Sequence, residues 1–167
     1  MPKKRKRVGL RLIKKVLLLL VVLLVSCDGT VFHRFETVDD SGWALGDTLS
    51  FVYDGSVMAA AGTGLEYSLQ VRYGAGYIYK NLCVRIESWR MADGVLLSVD
   101  TLCCPMYDER GRRLGSTAGT MYQNSSQAQP VAASPADTLL LKVSHIMATD
   151  SLQDVFDVGV RLNAVKI

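Results

Sequence analysis

Leu65-Glu66-Tyr67-Ser68-Leu69-Gln70-Val71-Arg72-Tyr73 places an apolar residue at every second position, with polar or charged residues between them. Successive side chains of a strand point to opposite faces, so a period of two describes one buried face and one wet face. The same period recurs on either side of this stretch. Leu82, Val84 and Ile86 alternate with Cys83, Arg85 and Glu87, and Leu49, Phe51 and Tyr53 follow a Gly46-Asp47 turn. Leu139, Leu141, Val143 and His145 share one face of another strand, and Val158, Val160 and Leu162 alternate with Gly159, Arg161 and Asn163. Val95 to Leu102 reads as a further strand, apolar enough to occupy a central place in its sheet.

Turn chemistry separates these runs. Asp54-Gly55, Asp93-Gly94 and Asp108-Glu109-Arg110-Gly111 supply residues that tolerate tight or left-handed backbone. Outside the amino-terminal segment no sustained 3.6-residue period occurs. Thr149 to Phe156 can form one helical turn, capped by Asp150 or Ser151. Asn124 to Asp137, rich in Ser, Ala, Gln and Pro, reads as a long mobile loop between strands. The expected class is all-β, an antiparallel β-sandwich of jelly-roll type.

The amino-terminal segment follows a different logic. Eight basic residues lie between Lys3 and Lys15 with no acidic residue among them, and an apolar run from Val16 to Val25 leads to Ser26-Cys27. That order is the signature of a bacterial lipoprotein signal peptide, cleaved before Cys27, whose thiol then carries the lipid. A ten-residue apolar run makes about 15 Å of helix, well short of a hydrocarbon core of roughly 30 Å, which disfavours a retained span. The string Pro2 to Val8 imitates a nuclear localisation signal, yet it runs directly into the apolar segment, where basic residues hold the leader on the cytoplasmic side. The expected organisation is a signal peptide over 1–26, a lipidated tether over 27–40 and the sandwich over 41–167.

Removing the leader reverses the charge. The whole chain carries 19 Lys+Arg against 16 Asp+Glu, but the leader holds 8 of the basic residues and none of the acidic ones, which leaves 11 against 16. A mildly acidic domain without a basic stripe is a poor partner for nucleic acid. With Cys27 assigned to lipid, Cys83, Cys103 and Cys104 remain. Neighbouring residues of a strand face opposite ways, so only one of Cys103 and Cys104 can meet Cys83 in a disulfide. All three can equally serve as small buried hydrophobes.

Catalytic chemistry finds little support. Of the two histidines, His33 falls in the expected tether and His145 is in phase with the buried face of its strand. No Gly-x-Ser-x-Gly or His-Glu-x-x-His pattern and no paired Cys/His spacing occurs, so neither a nucleophile, a metal nor a cofactor is expected. Trp43, Tyr77, Tyr79, Trp89 and Tyr122 are the rings from which a sugar-stacking platform could be built.

Several segments, taken in order, resemble the gliding-motility lipoprotein family GldH. They are the segment ending at Cys27, Trp43 followed by Asp47 to Phe51, Tyr67 to Arg72, Tyr77 to Leu82, Asp108 to Gly115, and His145 to Met147 leading into Asp157 to Val160. The family usually shows proline where this chain has Ile78, arginine where it has Ala148, and often a bulky aromatic where it has Cys83. The resemblance implies a non-enzymatic lipoprotein of the cell envelope, associated with gliding and with type IX secretion, on the periplasmic side of the inner or outer membrane. Its partners would be the membrane, through the lipid on Cys27, and other envelope or secretion-system proteins. Tyr77, Tyr79, Asn81, His145 and Met147 form the expected interaction surface. The alternative reading is a carbohydrate-binding lipoprotein module.

Overall fold

A computed structural model describes residues 29–55 and 63–166. The expected signal peptide and the lipidation site at Cys27 lie outside these residues. Among the described residues twelve strands run in the order β1 (Thr30–Thr37), β2 (Trp43–Ala44), β3 (Leu49–Tyr53), β4 (Thr63–Tyr73), β5 (Asn81–Arg90), β6 (Val95–Pro105), β7 (Ser116–Ala118), β8 (Met121–Ser125), β9 (Gln129–Pro130), β10 (Leu139–His145), β11 (Ser151–Leu152) and β12 (Val155–Lys166).

The pairing is antiparallel throughout. One sheet has the order β1-β12-β4-β8-β7 with β9 also on β4, and the facing sheet has the order β3-β10-β5-β6. A short third ladder joins β2 to β11. The alternation that opens the sequence reading becomes a buried face on β4: Leu65, Tyr67, Leu69, Val71 and Tyr73 are all 2% exposed or less. Across the sandwich they meet Leu82, Val84 and Ile86 of β5 and Leu139, Leu141 and Val143 of β10, each at 0%. Removing that apolar surface from water is the main force holding the sheets together.

Buried tyrosines tie the layers at their polar tips. The Tyr67 hydroxyl donates to the Asp100 carboxylate at 2.6 Å, linking β4 to β6, and the Tyr53 hydroxyl donates to the Pro135 carbonyl at 3.0 Å. Burial, reinforced by Asp100, holds the Tyr67 phenol above its ordinary range. Cys83 pairs with Cys103 in a disulfide across β5 and β6, while Cys104, one residue on, points into the core. Burial pushes the Cys104 thiol up to about 12.

Four expectations are corrected. Residues 30–37, assigned to the tether, form the edge strand β1, which takes its hydrogen bonds from β12. Val95 to Leu102 is not central: β6 is the outer strand of its sheet, and Val95, Leu96 and Val99 remain exposed. Asn124 to Asp137 is not a free loop, because β9 pairs with β4 and the Val131 amide bonds to the Leu65 carbonyl at 2.8 Å. Thr149 to Phe156 holds β11, a tight turn with Asp154 at φ 59°, and the start of β12 rather than a helical turn, and β11 takes its partner from β2.

Candidate functional site

Strands β4, β6, β8 and β10 all reach the end of the sandwich opposite to Thr30, and the loops between them form one surface there. The chain leaves β4 through Gly74-Ala75-Gly76. A Cβ on Gly76 would run into the Asp154 carboxylate, so any larger residue at that position would have to push the Asp154 side chain aside. Tyr77 then folds inward. Its ring is 1% exposed and its hydroxyl donates to the Asn81 carbonyl at 2.9 Å. Closing the turn in this way throws Ile78 outward, and at 80% it is the most exposed large apolar residue described. Tyr79 leans half-buried against Tyr77, with ring centres 5.7 Å apart.

A second loop is fastened to the first. The Met106 and Tyr107 amides both donate to the Lys80 carbonyl, at 2.9 and 3.2 Å, and the Tyr107 hydroxyl donates to the Tyr77 carbonyl at 2.5 Å. Asp108 then organises the bend after it. One carboxylate oxygen accepts from the amides of Arg110 and Arg112, and the other accepts from the Arg112 guanidinium at 2.8 Å. The Arg112 amide is the leading cause that holds this carboxyl below the usual range. Arg113 closes the structure. Its guanidinium lies 5.1 Å from the Tyr107 ring and 4.7 Å from the Tyr122 ring, and it donates to the carbonyls of Gly74 and Ala75. A planar cation held between two ring faces and two carbonyls is a rigid support rather than a free charge. The open groove between the loops has a volume of about 550 Å³ and is lined by Ile78, Lys80, Tyr107 and Arg113 among others.

His145 to Met147 arrive at the same end on β10. The Ile146 amide donates to the Cys83 carbonyl at 3.0 Å, and the Met147 sulfur accepts from the Cys83 amide at 3.4 Å. His145 itself is 2% exposed and packs edge-on to Trp43 at 5.3 Å. Burial lowers its pKa, so the neutral ring is favoured.

Of the five residues expected to form an interaction surface, the structure brings all five to one end but presents them unequally. Asn81 is exposed and Tyr79 and Met147 are half-buried. Tyr77 and His145 are interior residues: His145 is in phase with the buried face of β10, and Tyr77 is folded inward by the turn after β4. Ile78, Tyr107 and Arg113 are the surface and support residues that the sequence reading did not single out. The signal for Ile78 was its place between two aromatic residues in a glycine-flanked turn.

The aromatic platform does not assemble. Trp43 is 1% exposed, and Tyr122 is stacked on the buried Tyr73 at 5.5 Å. Trp89 and Tyr79 are both half-exposed but sit at opposite ends of the molecule. Asp39, Asp40, Asp154 and Asp157 line another groove of about 330 Å³. Among the described residues no three of His, Cys, Asp and Glu are placed to hold a metal ion.

A profile of the family described as GldH lipoprotein matches residues 30–162. No curated protein matches the chain in sequence. Among solved structures, a family 35 carbohydrate-binding module from Clostridium thermocellum is similar over 77% of this chain and 86% of its own, with 15% identity and a TM-score of 0.37. Dimeric latent PorU from Porphyromonas gingivalis is similar over 82% of this chain and 13% of its own, with 10% identity and a TM-score of 0.33. Likeness at these scores supports no statement about function.

Proposed function

The chain belongs to the GldH lipoprotein family, and from that premise we propose a non-catalytic envelope lipoprotein that works by binding other proteins at its distal end. The observation that carries this reading is convergence. Tyr77 to Leu82, Asp108 to Gly115 and His145 to Met147, three separate segments that carry the family resemblance, meet on the single end opposite to Thr30. Arg113 and the Tyr107 hydroxyl hold two of them in fixed relation. A rigid frame that presents one exposed aliphatic side chain, Ile78, beside a groove of mixed charge suits a protein partner: the apolar anchor supplies affinity and the polar rim supplies specificity.

The lipid on Cys27 would hold the domain on the periplasmic side of the inner or outer membrane. Anchoring raises the effective concentration of membrane neighbours, so a modest interface is enough. The processes proposed are gliding motility and the associated type IX secretion. The test is complementation of a gene deletion, read as protein secretion and as the level of partner lipoproteins. Ile78→Asp, which alters an exposed side chain only, is expected to accumulate as a folded protein and to fail to restore either readout. Val99→Asp, on an exposed strand away from this end, is expected to restore both. Full rescue by Ile78→Asp would remove the distal end as the working surface.

A further inference from the structure

The end of the sandwich at Gly29, where the described residues begin, carries an unpaired apolar face. Gly29 is held beside β12, its carbonyl accepting from the Ala164 amide at 2.8 Å, and the Phe32 ring meets the Tyr53 ring at 6.1 Å. The start of β1 is therefore level with the end of β3. The same level holds the start of β10 and the hairpin from β5 to β6, because the Met91 amide bonds to the Thr138 carbonyl at 2.9 Å. On the outer side of the four-stranded sheet, Val52, Leu140, Trp89 and Leu96 stand directly opposite one another across all four strands. Val52 and Leu96 are 44% and 42% exposed, and Met91 and Val95 extend the patch around the hairpin at 51% and 45%. Lys142 lies 5.3 Å from the Trp89 ring and leads from the apolar row to a polar middle of the sheet.

We infer that this face rests on the lipid surface to which the chain is anchored. The inference builds on the proposed acylation of Cys27. Two peptide units separate Gly29 from Cys27, a reach of about 7 Å at most. From strand and sheet spacings, β6 is roughly 17 Å from β1 across the sandwich. An anchor that short leaves the Met91–Leu96 hairpin within the headgroup region and no room for a second protein beneath it. A tryptophan with a lysine beside it is the pairing suited to that region: the ring sits at headgroup level and the amine reaches water. Because the anchor already confines the domain, a small apolar area is enough to fix its orientation, and the Ile78 end is then directed away from the membrane.

The full acylated lipoprotein, incorporated in phosphatidylcholine vesicles with and without brominated acyl chains, tests this. Flotation reads anchorage, and loss of tryptophan emission reads docking. The expected result is flotation together with quenching that disappears in Trp89→Phe, since Trp43 is buried at the far end. Leu96→Asp is expected to float equally and to lose the quenching. Flotation with undiminished emission, or quenching that survives Leu96→Asp, overturns the docked face alone. Self-crosslinking of Leu96→Cys in unquenched samples would assign the face to a second copy instead. Failure to float overturns the anchorage reading, and the docked face with it.

Discussion

Leu141 and Lys142 are neighbours on β10, yet they inhabit different solvents. Leu141 points into the sandwich at 0% exposure, between Phe51 of β3 and Ser88 of β5, while Lys142 points outward between Ser50 and Glu87. The same four strands thus have one face made by exclusion of water and another made by local pairing. The inner face is mostly apolar, with Ser88 and His145 as buried polar members. The outer face is divided into an apolar row, a polar middle where Arg85, Glu87 and Lys142 meet, and the disulfide at the distal end. Stability belongs chiefly to the first face, and the second is free to vary in composition with its surroundings.

Three substitutions or treatments put that contrast under strain. Leu141→Ala leaves a cavity in a layer that cannot collapse around it, and is expected to cost about 2–5 kcal/mol in urea unfolding. A loss below about 1 kcal/mol would mean the sheets repack and that the inner face is less rigid than its burial suggests. On the outer face, the disulfide closes a loop between residues 20 apart in sequence, and its reduction is expected to cost about 3 kcal/mol through the unfolded state. An unchanged urea midpoint after reduction would show the β5–β6 ladder to be sufficient without its covalent link. Lys142→Ala removes only a partly solvated contact with Trp89 and is expected to cost under about 1 kcal/mol. A larger effect would erase the distinction between the two faces.

The contrast also explains what could be read in the sequence. β3, β4, β5, β10 and β12 were legible because one side of each meets the core and the other meets water or charge, which writes a period of two into the chain. β6 misled for the opposite reason. Val95, Leu96 and Val99 are apolar residues left exposed, and such residues imitate those of a strand buried on both sides. β1 was hidden by a register shift between Thr30 and Phe32 and by its place at the sheet edge, which blur the alternation. The segment from Asn124 to Asp137 has the composition of a loop, and what holds it to the sheets, such as the Val131 amide on Leu65, the Leu69 amide on the Ser126 hydroxyl and the Tyr53 hydroxyl on Pro135, comes from residues distant in sequence. Of the distal surface, the turn at Tyr77 was legible from its glycines. The burial of His145 was legible from its phase in β10, whereas that of Tyr77 was not, because Tyr77 lies in a turn and is covered by loops arriving from other strands.

Among the described residues, β1 has β12 as its strand partner, and Thr30 bonds to Asn163 across 133 positions of sequence. A polypeptide synthesised amino end first must therefore hold β1 without this partner until β12 has emerged. Long-range closure of this kind is slow, and it leaves an open edge exposed to other chains in the interval. For this molecule, β12 sliding in between β1 and β4 closes the larger sheet, so a product lacking Val155–Lys166 would have no means of joining its first described strand to the rest.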